Sequence, residues 1–182
     1  SDLFLMGDLF DFWFEYKYVI PKENLKFLLT ISMMIEKGIN FHYFVGNHDL
    51  WVINYFKNLG ISVYDNPATF SLNEKKILVG HGDGLGKGDI GFKFIKKIFK
   101  NKFCQFLFRW AHPDLGIPLG RFLSGTKNKM NIGERAKNND KRIQDYCIQV
   151  NNKIFHDAYI FGHSHYVNEK KRSEEHTSEL QS

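Results

Sequence analysis

Phe41-His42-Tyr43-Phe44-Val45 runs directly into Gly46-Asn47-His48-Asp49, so an apolar stretch of strand length stops at a glycine and gives way at once to polar, ligand-type side chains. Three other stretches repeat the pattern. Leu3–Met6 leads into Gly7-Asp8, Ile77–Val79 into Gly80-His81-Gly82-Asp83, and Ala158–Phe161 into Gly162-His163-Ser164-His165. Short runs rich in Val, Ile, Phe and Tyr and bounded by glycine read as buried strands. Glycine just past a strand end supplies positive φ or lets another backbone come close.

Working outward, Pro21 to Lys37 carries Leu25, Leu28, Leu29 and Ile35 near helical spacing, with Pro21 at the front and Lys37-Gly38 as the stop. This gives strand, helix, strand. Ile61–Asp65 reads as a further strand, and Thr69–Leu72, Asn73-Glu74, Lys75–Val79 as a hairpin feeding the third motif. The expected class is α/β, a sandwich of mixed β-sheets flanked by helices. In open α/β sheets ligands collect outside the carboxyl ends of the strands, so all four motifs are expected to meet at one site.

With 182 residues, 43% hydrophobic and 25% charged, the chain has enough apolar content for a globular domain, which excludes disordered and collagen-like classes. No run approaches the roughly 20 apolar residues of a membrane span, and the first residues lack the pattern of a signal peptide. Two cysteines, Cys104 and Cys147, are too few for a disulfide framework and point to a reducing compartment. Arg172–Ser182 (RSEEHTSELQS) breaks with the Lys-, Asn-, Ile- and Phe-rich text before it and resembles translated sequencing adapter, a non-native tail behind a domain at 1–171. Leaving out its one Arg and three Glu changes the charge from +5 to about +7. The chain also starts inside an apolar run without Met, which reads as truncation at both ends.

The chemistry of the four motifs points to metal. Asp8, Asn47, His81, His163 and His165 offer a carboxylate, an amide oxygen and three imidazoles, a mixed set suited to Mn²⁺, Fe²⁺ or Zn²⁺ and without the thiolates of a structural zinc site. Singly, Gly7-Asp8 reads equally well as a turn or cap, Gly46–Asp49 as an Asx-turn, and His163 and His165 as surface imidazoles. It is the joint occurrence, with four of the eight histidines in these motifs, that favours a metal site. His42, His112 and His156 lie outside the motifs and read as structural or solvated.

GDLFD, GNHD, GHGD and GHSH together resemble the motif series of the calcineurin-like metallophosphoesterases from Asp2 to about Tyr166. The resemblance implies two divalent metal ions, with Asp8 bridging them. It implies Asn47, His81 and His163 as ligands of the second metal and His165 as a ligand of the first. His48 corresponds to the family's non-ligand histidine, which stabilises or protonates the leaving oxygen. The implied reaction is hydrolysis of a phosphoester or pyrophosphate by an activated hydroxide. The family's opening DxH motif has no counterpart before Asp8, so this chain is expected to hold at most one metal well and to be a poor catalyst.

Within the family, Trp13 five residues past Asp8, the run Gly82 to Asp89 followed by Gly91-Phe92, and a long insertion before GHSH resemble the UDP-2,3-diacylglucosamine pyrophosphatases of lipid A biosynthesis. This implies a nucleotide-linked lipid substrate, a helical lid over about 87–153, and substrate contacts drawn from Trp13, Asp89, Arg121, Lys127, Lys129 and Arg135. His48 stands where those enzymes often carry Arg. Independently of any resemblance, residues 87–102 contain six Lys and one Asp, and Ile95, Ile98, Phe99, Phe106, Leu107 and Trp110 recur near helical spacing. One face is then apolar and the other cationic, which suits an anionic membrane surface or, equally, a solvated face over a packed one. A second amphipathic segment runs through Ile143, Tyr146, Cys147, Val150 and Ile154. The expected localisation is cytoplasmic, peripheral on the inner membrane, with no nucleic-acid partner. A different phosphodiesterase or nuclease, and a metal-depleted binding module of the same fold, remain the alternatives.

Overall fold

A computed structural model describes residues 1–86, 90–125, 132–164 and 169. Strand β1 (Asp2–Leu5) is followed by a 3-10 turn at Lys22–Asn24 and by α1 (Leu25–Glu36). Next come β2 (Asn40–Phe44), α2 (Tyr55–Asn58), β3 (Ser62–Tyr64), β4 (Ala68–Leu72) and β5 (Lys75–Gly80). Among the described residues, four helices lie between β5 and the last strand: α3 (Ile90–Phe99), α4 (Lys102–Arg109), α5 (Pro113–Gly125) and α6 (Ile132–Asn151). Strand β6 (Ala158–Phe161) then leads to the fourth motif.

The strands form two sheets, β1-β2-β3 and β4-β5-β6. The first is parallel throughout; the second, which holds the expected hairpin, is mixed, β4 antiparallel and β6 parallel to β5. The β4–β5 hairpin closes at Asn73 and Glu74, both at positive φ, +48° and +65°, which matches the right-handed twist of the flanking strands.

Alternation along β1 and β2 explains the layering. Leu3, Leu5, Phe41 and Tyr43 face a cluster with Leu28 and Ile31 of α1 and with Phe10, Trp13 and Phe56. Phe4 and His42 stack on each other at 4.8 Å on the opposite face. Phe70 of β4 meets Phe4, His42, Phe44 and Tyr64 there, edge-on, at 4.9–6.2 Å. One aromatic ring thus keys the second sheet onto the first.

Every buried hydrophobic side chain among the described residues falls between Phe10 and Val79. The helical stretch rests on this body through rings: Phe99 and Phe108 pack on Trp51 at 5.3 and 4.6 Å. Gly116 and Gly120 of α5 lie flat against Tyr16 and Phe12, where an added Cβ would overlap either ring.

The amphipathic reading of residues 87–102 needs one correction. Most of the lysines along α3 do not form a solvated face; Lys97 alone of those described there is exposed. Lys93, Lys96 and Lys100 turn toward the body and bond Gly86, Asp83 and Asp65, while Phe94, Ile95 and Ile98 are exposed. The acceptors on the body decide the orientation, because an inward lysine is tolerated where each ammonium meets an oxygen.

Candidate metal centre

The site is assembled where β1, β2, β5 and β6 end. Gly7 and Asp8 follow β1 with φ of +85° and +52°, a sharp left-handed turn that only the glycine adopts freely. Gly46 needs no positive φ but has no room for a side chain. A Cβ there would lie 2.2 Å from Asp8 Oδ1 and 2.3 Å from Asp8 N. At the fourth motif, Gly162 N and His163 N both donate to His81 O at 2.9 Å, fastening the β6 end to the β5 end.

This geometry brings Asp8, His81 and His163 together, with one ligand atom from each within 4.8 Å of the others. His81 Nδ1 lies 2.7 Å from Met6 O. A carbonyl only accepts, so Nδ1 carries the proton and neutral His81 presents the Nε2 lone pair. His163 Nδ1 lies 3.1 Å from that Nε2 and Asp8 Oδ2 lies 3.3 Å from it. The Asp8 contact is close but poorly aligned, and Oδ2 is buried without a hydrogen bond. Asn47 Oδ1 is likewise buried, with no hydrogen-bond partner among the described residues. Burying bare acceptors is costly unless something positive meets them. The carboxylate, imidazole and amide donors here fit a divalent cation.

Burial raises the pKa of Asp8, but the close His81 imidazole and the N–H that His48 donates outweigh it, and the carboxyl falls from 3.8 to about 2. Burial lowers that of His81, yet the Asp8 carboxylate holds the imidazole above its ordinary 6.5.

His48 sits on the same loop. Its backbone N–H donates to Asp8 Oδ1 at 2.9 Å, and its Nδ1 lies 3.3 Å from Asp11 O.

A sequence model of the family described as calcineurin-like phosphoesterase matches residues 1–167. The chain belongs to the calcineurin-like phosphoesterase family. It is therefore a metal-dependent phosphoester hydrolase, and divalent metal is its cofactor. A UDP-2,3-diacylglucosamine hydrolase of Porphyromonas gingivalis is 32% identical over 179 residues, 90% of this chain and 68% of the relative. Proteins of the same name from Histophilus somni and Yersinia pestis are 27% and 25% identical, over 91% and 90% of this chain and 70% and 68% of their own length.

Other expected site residues of this phosphoesterase fall differently. Trp13 is 0% exposed, packed among Phe10, Tyr55 and Phe56 in the body, and offers no surface to a substrate. Its indole belongs to the core because the GDLFDFW loop folds back under α1 instead of lining the opening. Arg121 of α5 is half-exposed and pairs with Glu23. His165, Asp89, Lys127 and Lys129 lie outside the described residues, as does the tail 170–182; Arg135 stands on α6, its side chain outside them.

Asp49 is the residue that the sequence reading passed over. It is 0% exposed and accepts hydrogen bonds from Gly46 N at 2.6 Å, Leu9 N at 3.1 Å, Asp8 N at 3.4 Å and Tyr43 Oη. One carboxylate therefore ties the loop after β1 to the loop after β2. Its place as the last letter of GNHD was the available signal.

Proposed function

We propose that this phosphoesterase hydrolyses the pyrophosphate of UDP-2,3-diacylglucosamine, releasing UMP, with two divalent ions, Mn²⁺ in the first instance. The observation that carries the hydrolytic part is the meeting of Asp8, His81 and His163, with one ligand atom of each within 4.8 Å of the others. The substrate rests on the relatives' shared name and on their coverage of nine-tenths of the chain.

Asp8, Asn47, His81 and His163 hold metal, with His165 added from the sequence. Bound divalent ions supply charge to the phosphoryl oxygens and acidify the attacking water. The chain's own residues then orient and move protons. Met6 O fixes the His81 ring, Asp49 fixes the loop that presents Asp8, and Asp11 O fixes the His48 ring. His48, protonated, gives its Nε2 proton to the leaving oxygen.

The exposed Phe94, Phe103, Phe106 and Trp110 support contact with acyl chains and with a lipid surface, hence a peripheral place on the cytoplasmic side of the inner membrane. No helix among the described residues is long and apolar enough to cross a membrane. The inward lysines weaken the nuclease reading, since Lys93, Lys96 and Lys100 are engaged within the chain.

The test is Mn²⁺-dependent release of UMP from UDP-2,3-diacylglucosamine in mixed micelles by the full-length gene product. Release of UMP is expected. Turnover of bis-p-nitrophenyl phosphate without any UMP would remove the lipid substrate and leave the phosphoesterase.

A further inference from the structure

Lys93, Lys96 and Lys100 lie at i, i+3 and i+7, one face of α3. Each reaches its oxygen at 2.6 Å: Gly86 O, Asp83 Oδ2 and Asp65 Oδ1. The first two acceptors belong to the segment that leaves His81. Glycines 82, 84 and 86 there have φ of +114°, +65° and +69°, so this path is open to many conformations until something holds it. The α3 lysines grip it at two points.

Asp83 is the stronger grip. Its side chain is 4% exposed and that of Lys96 20%. A carboxylate so deep is costly without its partner, so lifting α3 away strands it. Beside the pair lies a cavity of about 100 Å³ lined by residues that include Tyr64, Asn66, His81, Asp83 and Lys96, so packing alone does not fix this edge of the helix. The helices between β5 and β6 contribute no buried hydrophobic side chain among the described residues, which leaves polar tethers and ring contacts to seat them.

We infer that Lys96 is a positioning residue for the metal centre: through Asp83 it fixes the loop that carries His81, so seating of α3 and occupation of the metal centre favour one another. The inference rests on reading Asp8, His81 and His163 as metal ligands. Coupling of this kind is reciprocal, since a helix that improves metal affinity when seated is itself seated more firmly by metal.

The test titrates Mn²⁺ into the full chain by calorimetry and follows limited proteolysis of residues 90–125 with and without Mn²⁺. Lys96→Met is expected to weaken Mn²⁺ binding about tenfold, the size typical of groups behind a ligand, and to speed cleavage. Mn²⁺ should slow cleavage in the wild type and not in Lys96→Met. Lys96→Arg should restore both readings, and Lys97→Met, on the exposed side of the same helix, should match the wild type. Unchanged Mn²⁺ affinity in Lys96→Met, or cleavage of the wild type indifferent to Mn²⁺, overturns the coupling and leaves the metal centre standing. A wild type that binds no Mn²⁺ overturns the metal-centre reading and the coupling with it. Should Lys96→Met fail to fold, the wild-type proteolysis and Lys96→Arg still decide.

Discussion

The body built on β1–β5 and the helices α3–α5 are stabilised in opposite ways. In the body, apolar side chains point inward and one buried carboxylate, Asp49, is met by several donors. In α3, Lys93 and Lys96 point inward while Phe94, Ile95 and Ile98 point out, and Trp110 at the end of α4 is 78% exposed. The body holds its shape by area removed from water. The helices are joined to it by tethers and ring contacts and leave apolar side chains such as Phe94, Phe103 and Trp110 exposed. A frame with a buried apolar core thus carries a helical cover that adds no buried hydrophobic side chain among the described residues.

The largest expected effect tests the frame at its tightest point. Gly46→Ala places a Cβ 2.2 Å from Asp8 Oδ1, so Asp8 must move. Mn²⁺ affinity should fall about 100-fold, the upper end for groups that orient a ligand, while circular dichroism shows the strands retained. Undiminished binding would show that the frame yields where the geometry says it cannot.

A pair of tryptophan substitutions sharpens the contrast itself. Trp13→Ala opens the core and should cost about 3–5 kcal/mol in urea unfolding. Trp110→Ser should stay within about 0.5 kcal/mol and instead weaken sedimentation with anionic vesicles. Equal destabilisation by both would erase the distinction between body and cover. Asp49→Ala belongs with Trp13: it leaves Gly46 N, Leu9 N and Tyr43 Oη without their acceptor, at about 3 kcal/mol.

The pH dependence should change sign with metal. Without metal, the lowered Asp8 carboxyl contributes stability above 3.8 that is lost as pH falls through about 2. The raised His81 imidazole contributes below 6.5 and is lost as pH rises through its folded value. The pair therefore favours the metal-free fold most between about pH 4 and 6.5. Metal must displace the His81 proton, so Mn²⁺ affinity should rise about tenfold per pH unit below the raised value and level off above it. Calorimetry from pH 5 to 8.5 reads this slope; a flat profile removes His81 from the ligand set. The smallest effect concerns the cover's far edge. Burial pushes the Cys147 thiol up to about 11, so at pH 8 roughly one in a thousand is thiolate. Iodoacetamide should label it slowly, and rapid labelling would show that α6 opens.

Much of the frame was legible before any coordinates. Strands bounded by glycine, the Asn73-Glu74 hairpin and the meeting of the four motifs all follow from periodicity and from the backbone freedom of glycine, which are local properties. The meeting of Asp8, His81 and His163 was legible for the same reason, since a side chain at a strand end needs only the strand to be found. Trp13 was misjudged as a substrate contact because an aromatic near a site looks alike whether it lines the opening or the core.

What the sequence by itself determined is which residues end strands and which helix has two unlike faces. Only the tertiary structure decided which face of α3 turns inward, and that Asp49 and Asp83 are buried anchors instead of solvated charges. The physical reason is that periodicity fixes the relative orientation of side chains on one element, whereas burial of a charge depends on partners supplied by distant ones. Lys96 and Asp83 are 13 residues apart, and Asp49 and Leu9 are 40. No local pattern records that the oxygen and the nitrogen will meet.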